Sequence, residues 1–151
     1  MMARWLNIPP VWLALALVIA YFQARYVHFC LSLSHPITDM VAGLSIGAGV
    51  LLMALAVIKM RRHRTTVFPH READHLVTTG VFQWTRNPIY LGDAMVLLGF
   101  ILYWDAVLSL AILPIFIMAI DYGSIAPEED RLRRKFRSDF ERYMRDTRRW
   151  I

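Results

Sequence analysis

The chain has 151 residues and carries seventeen Lys and Arg against twelve Asp and Glu, a formal net charge of +5; its length sets one domain as the expectation. It is 57% hydrophobic and only 19% charged, with a mean hydropathy of +0.40, whereas an ordinary soluble domain is about half apolar and about a quarter charged. This composition excludes disorder, argues against a water-soluble enzyme and makes lipid part of the solvent. The single cysteine, Cys30, supports neither an internal disulfide nor a zinc spacing.

In chain order, residues 8–22 are apolar and continue past Gln23 and Arg25 into Tyr26, Val27 and Phe29. No small-residue cleavage site follows, so this run is expected to be a retained span over 8–29 rather than a signal peptide. Residues 40–58 carry no charge and end on Lys59, Arg61 and Arg62. A helix crosses the hydrocarbon core with about 20 mostly apolar residues, which makes 38–59 the strongest span. Within it Gly43 and Gly47, followed by Gly49, form a small-xxx-small pattern expected to pack the span against a neighbour, internally or in a homo-oligomer. A middle loop, 60–87, follows.

Two shorter apolar runs separated by Asp105 predict a helical hairpin, with spans at 88–104 and 106–125. Each falls short of a full crossing without its flanks, leaving a shallow or re-entrant hairpin as the alternative. Pro88 is suited to a helix's first turn and pushes Asn87 toward extended geometry, while Pro114 is expected to kink the fourth span. The tail, 127–151, predicts an amphipathic helix. Leu132, Phe136, Phe140 and Tyr143 recur at helical spacing, with Arg131, Arg133, Arg134, Lys135, Arg137 and Arg142 on the other faces.

The expected fold is therefore all-α: one polytopic membrane domain, 1–151, of about four transmembrane helices with a C-terminal amphipathic helix on the cytoplasmic side. With four spans, sixteen of the seventeen Lys and Arg share one side and only Arg25 lies opposite. The positive-inside rule then makes both termini and the middle loop cytoplasmic, in the inner membrane if the cell is bacterial. Juxtamembrane basic residues answer to lipid headgroups, which removes nucleic acid as the expected partner.

Arg86, Tyr90 and Asp93 stand at spacings of four and three and share one face if the third helix begins early. Arg and Tyr also serve as plain interfacial anchors. Asp93 tips the reading toward a polar pocket, because a carboxylate inside a span normally faces protein or water. Glu128, Glu129 and Asp130 open the tail helix, where acidic residues favour the helix dipole whatever else they do. If the last two spans run antiparallel, both clusters return to one cytoplasmic mouth, and a cation beside a carboxylate pair suits a zwitterionic or cationic ligand. His63, His70 and His75 match no metal signature, so no metal is expected.

At Leu76, Val77, Gly80, Phe82, Arg86, Asn87, Pro88, Ile89, Tyr90 and Gly92, then Glu128, Glu129, Leu132, Phe136, Phe140, Tyr143, Arg149 and Trp150, the sequence resembles the integral-membrane methyltransferases. That superfamily includes the isoprenylcysteine carboxyl methyltransferases and the phospholipid N-methyltransferases. The resemblance covers the C-terminal half, and the order and spacing of the motifs make it fairly specific. It implies S-adenosyl-L-methionine as cofactor, held between the loop before the hairpin and the helix after it. Carried over by position, Asp74, His75, Leu76, Val77 and Phe82 surround the cofactor, with Asn87, Pro88, Ile89 and Tyr90 beside it. Glu128 meets its polar groups, and Arg86 pairs with its methionyl carboxylate. Two positions depart from the pattern: Asn87 stands where the isoprenylcysteine enzymes usually have His, and Arg137 where a glycine is common.

The expected function is an S-adenosylmethionine-dependent methyltransferase acting on a lipid or lipid-linked acceptor that arrives from the bilayer. Methyl transfer from a sulfonium is an in-line displacement, for which a dry, positioned site suffices when the acceptor is a carboxylate. An amine acceptor must lose a proton, and Asp93 or Glu129 is the nearby base. Arg86, Tyr90, Asp93 and Glu129 are thus the catalytic candidates. The alternatives are a membrane NADPH-dependent reductase of the sterol type and a non-enzymatic four-span transporter or assembly protein. Small exporters carry a carboxylate in their first span, and residues 8–22 have none.

Overall fold

The computed structural model describes residues 9–27, 32–63 and 75–151; Asp74, His70 and Cys30 lie outside the described residues. Every regular element among the described residues is helical: α1 (Pro9–Tyr26), α2 (Pro36–Arg62), α3 (Pro88–Tyr103), α4 (Ile112–Ile120) and α5 (Ala126–Asp146). Short 3-10 turns occupy Gly80–Gln83 and Val107–Ala111, and a π turn occupies Asp121–Ile125. Pro36 and Pro88 each stand in the first turn of their helix, where a missing N–H costs nothing. His35 caps α2 by accepting the Ile37 N–H at 3.2 Å.

Two helical stretches are long and apolar enough to cross a membrane, Pro36–Arg62 and the continuous path Val107–Asp146. α3 is apolar but has 16 residues, a length of about 24 Å against a hydrocarbon core of about 30 Å. The surface of α2 exposes Ile37, Met40, Leu44, Leu51 and Ile58, which is costly in water and natural in lipid.

α2 and α3 touch backbone to backbone. A Cβ added to Gly92 would lie 2.7 Å from the Gly49 carbonyl oxygen, and one added to Gly99 would lie 2.8 Å from that of Ala42. The Ser45 hydroxyl crosses the same seam to donate to the Met95 carbonyl at 2.8 Å. Side chains larger than hydrogen would part the helices, so small residues set this contact. The expected pair, Gly43 and Gly47, does not make it. A Cβ at either meets nothing within 4 Å, because the helical period turns that stripe outward while Gly49 faces α3.

A first apolar core joins α1, α3 and α4 through Ala16, Ala20, Tyr90, Leu97, Ile101, Phe116 and Ile120. A second joins α2, the latter part of the middle loop and α5 through Ala56, Val77, Val81, Phe82, Phe140 and Tyr143. Beyond the C-terminal end of α3, Asp105 sits at φ 52. It accepts from the Ser32 hydroxyl at 2.5 Å and from the Leu33 N–H at 2.7 Å. Gln23 accepts there from both the backbone and the hydroxyl of Ser109, at 3.1 and 3.0 Å.

The fourth apolar run and the tail are one helical path, not two separate elements, because the π turn carries α4 into α5 without a break. Pro114 falls in the first turn of α4, directly after a 3-10 turn, where the change of helix type accommodates its missing N–H. The bend lies further on. Arg137 adopts φ 42, ψ −113 inside α5, and beyond it Phe140 and Tyr143 fold onto Val77, Val81 and Phe82. α5 ends at Asp146, and Thr147 turns to extended backbone at φ −130, ψ 131.

Candidate functional site

The site lies where the two cores meet, at the start of α3. Ile89 packs into the core shared with α5, whereas its neighbour Tyr90 belongs to the core shared with α1 and α4. Because α3 begins at Pro88, Arg86 precedes the helix and does not share a helical face with Tyr90 and Asp93 as the spacing predicts. It reaches α5 instead, with Nη1 at 3.4 Å from Glu129 Oε1. Its Nε and Nη1 are buried and make no hydrogen bond among the described residues. The contact with Glu129 has the distance of an ion pair without the direction of a hydrogen bond. Burial lowers the Arg86 guanidinium below its ordinary value more than the attraction of Glu129 restores it.

Tyr90 donates to Glu128 Oε2 at 3.2 Å, so the hairpin and the acidic cluster converge on one mouth. Glu129 is 6% exposed and takes the guanidinium of Arg149 in a two-pronged contact, 2.5 Å from Nη2 and 3.3 Å from Nε. The third nitrogen of Arg149, Nη1, meets both oxygens of Asp121 at 3.1 and 3.2 Å. Hydrogen bonds to Glu129 raise the Arg149 pKa, with Asp121 adding to the effect.

The backbone of the last residues completes the arrangement. Arg149 O accepts from the Thr85 hydroxyl at 3.1 Å and from the Asn87 carboxamide at 3.0 Å. Arg148 O accepts from the Arg86 N–H at 3.0 Å. The Asn87 side chain is therefore occupied in tying the C-terminal segment to the turn before α3. On the α5 side, Tyr143 donates to the Phe82 carbonyl at 2.6 Å. Burial raises the pKa of its phenol, which keeps the donor protonated.

Of the residues expected around a cofactor, Val77, Phe82 and Pro88 are buried, Leu76 and Ile89 are partly buried and His75 is exposed. Leu76, Val77 and Phe82 pack with Ile89 in the core shared with the later turns of α5, while Tyr90 meets Glu128 in the first turn of α5. Asp93 lies one turn along α3 from Tyr90 and is 6% exposed. Arg149 and Asp121 complete the charge network and were not among the expected site residues. Arg149 was visible only as part of the Arg149 and Trp150 motif, and Asp121 only as the first charge after the fourth apolar run.

The profile of the phospholipid methyltransferase family matches residues 37–139. The chain belongs to the phospholipid methyltransferase family. The match runs from the first turn of α2 into α5, enclosing Arg86, Tyr90, Asp93 and the Glu128 and Glu129 pair. Arg149 and the buried Phe140 and Tyr143 lie beyond it. Comparison with curated proteins and with solved structures gives no match. Family membership implies a membrane methyltransferase acting on phospholipid, and the two apolar helices agree with a place in the membrane.

Proposed function

We propose that this protein is an integral-membrane methyltransferase that uses S-adenosyl-L-methionine and delivers the methyl group to a lipid or lipid-linked acceptor. The observation that carries the reading is that the buried Nε and Nη1 of Arg86 make no hydrogen bond among the described residues, with Glu129 beside them at ion-pair distance and Glu128 across the contact with Tyr90. A buried donor without an acceptor costs about 1–3 kcal/mol, and more when charged; a docking anion recovers that cost. The methionyl end of the cofactor offers a carboxylate to Arg86 and an ammonium to Glu128, a zwitterion matched to a cation beside acids. Leu76, Val77 and Phe82, with Ile89, supply apolar surface for the nucleoside.

When bound, the cofactor supplies an activated methyl group on sulfur. The chain's own residues hold and orient it: Arg86 as anion clamp, Tyr90 by fixing Glu128, and Glu129 by holding Arg86 and Arg149 in register. The family match favours methyl transfer over the reductase and transporter alternatives. In the bilayer, α1, α2, α3 and the path through α4 make four crossings. Both termini and the middle loop lie on the cytoplasmic side, in agreement with sixteen of seventeen Lys and Arg there. α3 reaches the far interface with local bilayer thinning.

Calorimetric titration of the detergent-purified chain with S-adenosylhomocysteine tests this directly. Wild type is expected to bind it and not NADPH, and both Arg86→Ala and Glu128→Ala are expected to lose binding while remaining folded. Wild-type affinity in either variant, or binding of NADPH alone, overturns the assignment.

A further inference from the structure

One buried charge has no part in the network at the mouth. Asp93 is 6% exposed and makes no hydrogen bond or ion pair among the described residues. Its place on α3 follows from the helical period. Gly92 and Gly99 press on α2, while Tyr90, Ala94, Leu97 and Ile101 enter the core with α1 and α4. Asp93 falls between these two faces, at the seam where they meet. It stands about 4–5 Å further along the helix axis than Tyr90, just inside the mouth where Tyr90 holds Glu128.

The groups around this position are few. On α3 itself the charged or titratable neighbour is Tyr90, whose phenol is held in turn by Glu128 of α5 and feels the charges of Asp93 and Arg131. The facing stretches of α1 (12–20), α2 (49–53) and α4 (112–120) contain no titratable residue. An unneutralised carboxylate in an apolar seam is expensive unless a cation visits it. An amine-bearing headgroup whose tails remain in the bilayer would bring such a cation to this depth.

We propose that Asp93 takes the proton from the amine of a lipid headgroup and so selects amine acceptors over carboxylate ones. The inference rests on the methyltransferase reading above and adds a residue-level role to it. The ammonium gives one proton to the Asp93 carboxylate. The freed nitrogen lone pair then forms the bond to the methyl carbon as the methyl–sulfur bond breaks, leaving a neutral thioether and a methylated ammonium. The Asp93 carboxyl returns its proton to water at the mouth. A carboxylate acceptor has no proton to lose and is repelled by Asp93, so the same residue serves as proton acceptor and as filter.

The test uses the full chain in detergent, comparing wild type with Asp93→Asn and Asp93→Glu. Titration with dihexanoylphosphatidylethanolamine without methyl donor reads headgroup binding, and titration with S-adenosylhomocysteine reads the cofactor site. Methyl transfer is then followed against that lipid and against an S-prenylcysteine carboxylate as pH is raised. Asp93→Asn is expected to keep its affinity for S-adenosylhomocysteine and to bind the amine lipid about tenfold more weakly. Transfer at neutral pH should fall about a hundredfold, with a deficit that shrinks at high pH, where the amine loses its proton unaided. Asp93→Glu is expected to recover much of the rate. Unchanged transfer in Asp93→Asn, a deficit equal at every pH, loss of S-adenosylhomocysteine binding in that variant, or equal use of the carboxylate acceptor by wild type would each overturn the role of Asp93. Wild type that fails to bind S-adenosylhomocysteine overturns the methyltransferase reading as well.

Discussion

Arg149 clasps Asp121 with one guanidinium nitrogen, 3.1 Å from Oδ2 and 3.2 Å from Oδ1, and thereby fastens the last residues of the chain to the turn between α4 and α5. The same side chain spends its other two nitrogens on Glu129. Removing it leaves a nearly buried Glu129 facing Arg86 alone. Arg149→Ala is expected to lower stability by about 1–2 kcal/mol, below the full cost of breaking a buried pair because Arg149 itself is partly solvated. Thermal unfolding in detergent measures this, and Arg149→Lys should recover only part of the loss because an ammonium cannot serve two carboxylates in a planar fork. An unchanged melting temperature in Arg149→Ala would deny the clasp any structural weight.

Arg137 holds φ 42, ψ −113 within α5, a backbone region that only glycine enters without strain. Its side chain is exposed and makes no hydrogen bond or ion pair among the described residues that would offset the cost. Arg137→Gly is therefore expected to stabilise the protein by about 1 kcal/mol, read as a higher melting temperature, whereas Arg137→Ala should give no comparable gain. Destabilisation by the glycine would mean that the bend is held by the side chain rather than suffered by the backbone.

Much of this arrangement is legible in the sequence, and the parts that are not share a physical reason. The apolar runs mark α2 and the α3 to α4 hairpin because burial in lipid imposes length and composition residue by residue. The contact of Tyr90 with Glu128 follows from antiparallel helices that return two polar clusters to one end. Arg149, by contrast, meets partners 20 and 28 residues away through an extended segment, and such a pairing leaves no periodic trace. The small-residue pattern was visible, but three glycines in seven residues do not say which faces inward, and only packing against Gly92 selects Gly49. The departure at Arg137 was visible as a missing glycine; its meaning required the backbone angle.

The inward Gly49 and the outward Gly47 of α2 give a matched pair of substitutions. Gly49→Val would place atoms against the Gly92 carbonyl, which a Cβ alone already approaches at 2.7 Å, and should cost about 1–3 kcal/mol or abolish folding. Gly47→Ala meets nothing within 4 Å and should stabilise slightly, since alanine favours the helix. Melting temperatures of the two variants in the same detergent separate the cases; equal effects would mean that α2 and α3 do not meet at Gly49 in the bilayer.

Orientation is open to a direct check. Tags at the two ends of the chain, probed from either side of sealed vesicles, are expected to be accessible from the cytoplasmic side together, as the distribution of Lys and Arg requires. Ends on opposite sides would reduce the crossings to an odd number.

The helical path that runs from Val107 through the π turn to the bend at Arg137 turns the bilayer itself into a variable at the site. Glu128 and Glu129 ride on the same helical path as α4, joined to it by the π turn, whereas Tyr90 is carried by α3 and Arg86 by the turn before it. A thicker or thinner hydrocarbon layer changes helix tilt and would slide one half of the mouth past the other. Turnover should accordingly respond to acyl-chain length with the headgroup held constant, a dependence that vesicles of graded chain length would display.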